Sequence, residues 1–180
     1  MASSEKRARA DLAAEADEWI QRLVDEPLLR ASFSYGGELR LHFGKPVSYQ
    51  NERLAGRTHG EWTLGLRATP WVLVADGAVR SRSHDQQQHA LQQFAQLEGK
   101  RLVTATRRRS DCALTLRSAD GHWFMALTEP RTADLAKETK ALDLWELLTP
   151  GGLFVVARPD RSVAIEDPSA REAAAAQESE

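Results

Sequence analysis

The spacing of apolar residues along this chain changes several times, and each change marks an element. Over residues 5–26, Leu12, Ala16, Trp19, Ile20, Leu23 and Val24 recur every three or four positions, with Asp11, Glu15, Glu18, Gln21 and Arg22 between them. That period predicts a helix with one buried face. Ser3 or Ser4 can cap it, Glu5 faces the positive end of its dipole, and Pro27 ends it.

From residue 30 the period becomes two. Ala31–Tyr35 and Glu38–Phe43 flank Gly36-Gly37, with Leu39, Leu41 and Phe43 on one face and Glu38, Arg40 and His42 on the other. Two alternating runs around Gly-Gly predict a hairpin, because glycine accepts positive φ without steric cost. Residues 44–60 read as a long polar loop with a short strand at Val47–Tyr49. Trp62, Leu64 and Leu66 alternate again. Trp71–Val74 turns at Asp76-Gly77 into Ala78–Arg80, one of the stronger hairpin signals.

Ser83-His84-Asp85-Gln86 has the form of a capping box before a helix running to Glu98, and Gly99 stands where a C-terminal glycine belongs. Leu102–Thr106, Asp111–Leu116 and His122–Leu127 read as strands, the last two joined by a turn at Asp120-Gly121. Residues 130–141 fit either a short helix or a loop. Leu144–Leu148 and Leu153–Ala157 flank Pro150-Gly151, which suit the centre of a type II turn, and Ser162–Ile165 is a last short strand. The chain then becomes acidic and Ala-rich, so residues 167–180 are expected to be a disordered tail beside a single domain spanning 1–166.

The two halves, 5–82 and 84–166, repeat the same kind of pattern. Trp62, Thr69-Pro70 and Leu73-Val74 parallel Trp145, Thr149-Pro150 and Val155-Val156, and Leu39–Leu41 parallels Leu114–Leu116. The expected fold class is therefore α+β, mainly antiparallel sheet with two covering helices, and an internal duplication of a helix-plus-hairpins unit.

The motifs Gly37–Phe43, Trp62–Leu64, Asp111–Leu116 with Asp120-Gly121, and Trp145–Gly152 resemble a group of small bacterial proteins, frequent in actinomycetes, to which no activity is assigned. The resemblance covers residues 30–165. Its motifs are turns and core positions, so it implies a fold and no site.

Composition adds limits. With 180 residues the chain can bury a real core without staples, and its single Cys112 rules out a disulfide framework. Nineteen Arg against five Lys, with abundant Ala, is a codon signature of a GC-rich bacterial genome. No apolar run approaches the length of a membrane helix, and Met1–Arg7 has no apolar stretch behind it, so a cytoplasmic protein without membrane contact is expected.

The formal charge of -2 excludes an indiscriminate polycation. The charge is uneven, however: Arg80, Arg82, Lys100, Arg101, Arg107, Arg108 and Arg109 lie within 78–109, against Asp85 and Glu98. This cluster is the candidate binding site for nucleic acid, phosphate or an acidic partner. Its plain alternative is a set of solvated arginines compensated by the acidic helix 5–26. The second candidate is Trp123. It adjoins Phe124, and neighbouring strand residues face opposite ways, so one of the two aromatics must leave the core.

Catalytic and metal chemistry finds little support. Cys112 shares the parity of Leu114 and Leu116 and should be an inert core residue. His84 and His89 diverge around their helix, and Asp85 with His89 supplies too few ligands for zinc. No nucleophile elbow, P-loop or dinucleotide fingerprint is present. The expectation is thus no cofactor, no metal and no catalytic residue. The expected function is a binding module for a protein partner or a second copy, nucleic-acid binding through the arginines is the alternative, and a hydrolase near loop 44–60 is the third reading.

Overall fold

Alternating runs become strands wherever one parity is apolar, and eleven such strands form among the described residues. A computed structural model describes residues 2–34, 36–49, 55–66, 69–127 and 143–168. The first half supplies helix α1 (Ala2–Gln21), then β1 (Leu28–Phe33), β2 (Leu39–Ser48), β3 (Thr58–Leu66), β4 (Trp71–Ala75) and β5 (Ala78–Arg82). The second half supplies helix α2 (Gln87–Ala95), then β6 (Leu102–Arg107), β7 (Leu114–Ser118), β8 (Trp123–Ala126), β9 (Trp145–Leu148), β10 (Phe154–Ala157) and β11 (Val163–Glu166). The uncertain segment 130–141 and most of the expected tail lie outside the described residues.

The strands form two antiparallel sheets, a six-stranded one ordered β1-β2-β3-β9-β10-β11 and a five-stranded one ordered β5-β4-β8-β7-β6. Mostly antiparallel sheet with two helices is the α+β class that the periodicity predicts. The five-stranded sheet joins the hairpin β4–β5 of the first half to the meander β6–β8 of the second, and the six-stranded sheet joins the meander β1–β3 of the first half to the hairpin β9–β10 of the second, which β11 extends by one strand. The seams are β3 with β9, where Leu64 faces Leu147, and β4 with β8, where Leu73 faces Phe124.

The halves also exchange hydrogen bonds reciprocally. Asp25 N–H donates to Leu102 O at 2.8 Å and Gly99 N–H to Leu28 O at 2.7 Å; Leu28 N–H donates to Lys100 O and Leu102 N–H to Glu26 O. Asp25 (φ 70°) and Gly99 (φ 78°) both take the left-handed conformation that makes this crossing geometry. All these pairs share one offset, that from Leu28 to Leu102. In this register Trp145 matches Trp71 and not Trp62, and β9-β10 matches β4-β5. The Thr-Pro pairs that follow Trp62 and Trp145 align instead in a register that slides the second half along by several residues.

The inner faces meet in one core. Leu39, Leu41, Phe43, Trp62, Leu64, Trp145, Leu147 and Val155 come from the six-stranded sheet; Trp71, Leu73, Leu114, Leu116 and Phe124 come from the other. Each helix joins an edge strand of one sheet to an edge strand of the other: α1 packs on β6 and β11, and α2 on β1 and β5. Phe94 of α2 stacks on Trp71 and Phe124, while Trp19 of α1 meets Trp62 edge-on.

Three local expectations shift. The first helix ends at Gln21 and continues to Asp25 as tighter turns, because the Asp25 N–H is diverted across the chain to Leu102. The capping box does not form: Asp85 accepts from Arg82 N–H at 2.9 Å and from Ser81 Oγ at 3.1 Å, and α2 starts without a side-chain cap. Both ends of the polar segment 44–60 are strand, since β2 runs on past a bulge at Phe43/Pro46 to pair with the start of β3. Among the described residues no helix is long and apolar enough to cross a membrane.

Candidate interaction surfaces

Strand alternation that buries one face must expose the other, so the outer faces of the two sheets are where recognition can occur. On the five-stranded sheet the register puts Val79, Val74, Trp123, Arg117 and Thr104 in one outward row, and Arg82, Val72, Met125, Thr115 and Thr106 in the next. Of the two adjacent aromatics, Phe124 is 4% exposed and belongs to the core, while Trp123 is 39% exposed. The Arg117 guanidinium lies 4.9 Å from the Trp123 ring centre, a cation–π contact that holds the ring against the sheet. Val79, Val103 and Leu127 are exposed on the same sheet or directly after β8. Neither row contains a carboxylate.

The arginines picked out by sequence do not converge. Arg80 and Arg82 lie on β5 and Arg107 on β6, the two opposite edges of the five-stranded sheet, about 19 Å apart across four strand spacings. Most already hold partners. Arg80 pairs with Asp76 at 2.8 Å, Arg108 with Asp111, and Lys100 with Asp120. Arg101 donates to the Asp25 carbonyl. Arg107 is 2% exposed and binds Asp17 of α1 at 2.8 Å, and Arg109 binds the other oxygen of the same carboxylate at 2.9 Å. This is the compensation by the first helix that the plainer interpretation foresees. Only Arg82 among them lies in the outward rows of the apolar face.

The outer face of the six-stranded sheet differs in kind. Its β1–β3 end carries Arg30, Ser32, Arg40, His42 and Thr63, and its other end Glu146, Leu148, Phe154, Val156 and Glu166. His42 is 2% exposed. Its Nε2 lies 3.1 Å from Ser32 Oγ and its Nδ1 3.1 Å from Thr63 Oγ1, with Gly60 N–H aimed at Nδ1 from 3.4 Å. An N–H aimed at Nδ1 makes that atom the acceptor, so the neutral ring carries its proton on Nε2 and donates to Ser32.

Burial first, then Arg30, His59 and Arg40, pull the His42 pKa down from 6.5 to about 4. Between those values the unfolded chain binds a proton that the folded chain does not. Stability is therefore full above about pH 6.5 and falls as the pH drops towards 4, by an amount of order 2 kcal/mol after solvent screening is allowed for. Urea midpoints taken near pH 7 and near pH 5 check this. His42→Gln is expected to flatten that part of the profile, and a profile unchanged by the substitution would dismiss the assignment.

The remaining candidates are structural. Cys112 is fully buried; burial raises its thiol pKa, and the thiol donates to Arg161 O at 3.1 Å. It is an unreactive core residue by the usual criteria. A cavity of about 30 Å³ between the sheets, lined by Leu28, Leu41, Leu73 and Phe124, has no room for a ligand beyond a water molecule or two. Among the described residues no group of three or more His, Cys, Asp or Glu is placed to hold a metal ion. No family model, no curated protein and no solved structure matches this chain.

Proposed function

We propose that this protein is a non-enzymatic interaction module that docks an acidic, amphipathic segment of a partner protein on the outer face of its five-stranded sheet. The observation that carries this reading is the outward row Val79–Val74–Trp123, in which Val79 and Trp123 are exposed, with Arg117 in the same row and Arg82 in the next and no carboxylate in either row. An exposed aromatic amid aliphatic neighbours is a typical interface anchor, and the arginines select for carboxylates at the rim. A second copy fits less well, because face-to-face pairing would bring outward arginines together while neither outward row contains a carboxylate. The acidic tail of the chain lacks a large apolar residue after Ile165 and cannot fill the aromatic row.

We also read the two halves as copies of one helix–meander–hairpin unit, fused and reciprocally exchanged. The order β1-β2-β3-β9-β10, repeated as β6-β7-β8-β4-β5, and the paired hydrogen bonds support this. On that reading the two outer faces are counterparts that have diverged, one closed around a histidine and one left apolar.

Light scattering and fluorine NMR on 5-fluorotryptophan-labelled protein test the docking reading. A monomer is expected, with Trp123→Phe assigning its resonance among the five. A model amphipathic helix with a glutamate-rich polar face should shift that resonance, less so as salt rises, and its lysine-rich counterpart should not. No shift with either peptide, an equal shift with both, or a dimer closed over Trp123 would overturn the proposal.

A further inference from the structure

We propose that the concave outer face at the β1–β3 end of the six-stranded sheet is a binding site for a small molecule bearing oxyanion groups, phosphate or carboxylate. This site is independent of the docking face, which lies on the other sheet.

The cavity there has a volume of about 780 Å³, within the range of small-molecule sites. Its floor is strand, so its side chains are positioned by sheet register and not by a loop: Arg30 stands opposite His42, and Ser32 opposite Arg40. Arg57 comes in from the far arm of the β2–β3 hairpin, and Tyr49 lines the same hollow. Tyr49 is held in place by its ring contact with His59, 4.7 Å between centres.

The charge is unbalanced. Three guanidinium groups line the hollow, and Glu38 is the single carboxylate among the described lining residues. Glu38 accepts from Ser34 Oγ at 3.0 Å and stands 3.9 Å from Arg40, too far for a strong paired geometry. Arg30 is the sharper sign. Arg30 lines the hollow and one of its Nη atoms donates to the Thr58 carbonyl, which fixes the side chain, yet its Nε is buried without an acceptor. A charged donor left buried and unpaired costs free energy that a bound oxygen would return. Guanidinium forks are the side chains best shaped to grip planar or tetrahedral oxyanions, and the hydroxyls of Ser32 and Tyr49 add neutral donors. The buried His42 ring stays uncharged near neutral pH, so the site recognises by its arginines and not by a titrating imidazole. Ser32 and His42 lie within hydrogen-bond reach at 3.1 Å, but Gly60 N–H occupies Nδ1 and the ring donates its Nε2 proton to Ser32, so the imidazole is not placed to take the proton of that hydroxyl and the hollow is proposed as a binding site.

Nitrogen-15 NMR of the full chain tests this through the Arg30 Nε–Hε and His42 ring signals. The probes are inorganic phosphate, pyrophosphate and citrate, each compared with sodium chloride at equal ionic strength. Saturable shifts at both groups are expected, stronger with pyrophosphate if the natural ligand is a phosphate compound and with citrate if it is a polycarboxylate. Arg40→Gln should weaken binding by about tenfold. Arg57→Gln, an exposed position whose loss leaves the core intact, should weaken it by roughly threefold. The proposal fails if no probe moves the two signals up to about 10 mM, if sodium chloride moves them equally, or if both substitutions bind as the parent does.

Discussion

Trp145→Ala is expected to remove about 3–5 kcal/mol of stability and lower the melting temperature by roughly 10 °C or more. Trp145 is completely buried at the seam where β9 of the second half joins β3 of the first. Alanine would leave a cavity there and also strip the Cys112 carbonyl of the indole N–H that now reaches it at 2.8 Å. Trp123→Ala removes a side chain of the same size from the outer face and is expected to cost less than about 1 kcal/mol. Urea denaturation followed by circular dichroism separates the two. Equal losses would mean that Trp123 belongs to the core and that the apolar face is not free.

The second large effect is electrostatic. Asp17→Ala is expected to destabilise the protein by about 2–3 kcal/mol. Asp17 neutralises Arg107, whose guanidinium is buried between α1 and β6 and otherwise has, among the described residues, the Ala13 carbonyl at 3.2 Å and the Cys112 sulfur at 3.7 Å. Removing the carboxylate strands that charge and leaves exposed Arg109 without its partner as well. The figure sits towards the low end for a buried pair because Asp17 keeps some contact with water. A double substitution of Asp17→Ala with Arg107→Met should recover much of the loss, since an apolar side chain of similar length fills the same space without a charge. If the double variant is as unstable as Asp17→Ala alone, packing and not charge explains the effect.

These results show which features of the chain could be read in advance. The turns at Gly36-Gly37, Asp76-Gly77 and Asp120-Gly121 were legible because a hairpin is specified by a few adjacent residues. The opposite fates of Trp123 and Phe124 followed from strand parity alone. Pairing at a distance was not legible: nothing local in Trp145–Leu148 indicates that it will lie against β3, or that β8 will lie against β4. The run Arg107–Arg109 looked like a patch because its counter-charge, Asp17, sits 90 residues earlier on α1. The cavity around Arg30 left a partial signal. Arg40 and His42 were assigned to the face opposite Leu39 and Leu41, but Arg30 and Ser32 join them only through the β1–β2 register. Arg57 joins only because the hairpin arm extends through a segment that looked like loop.

The reciprocal exchange of hairpins has a consequence for synthesis on the ribosome. When β4 and β5 emerge, the strand they will lie against, β8, has not yet been translated, and the meander β1–β3 must wait longer still for β9. Neither sheet can be completed until most of the chain is out, so the nascent first half leaves sticky strand margins open for that interval. Chaperone capture during elongation, and mispairing between neighbouring nascent chains on one message, are the hazards that this order of assembly creates.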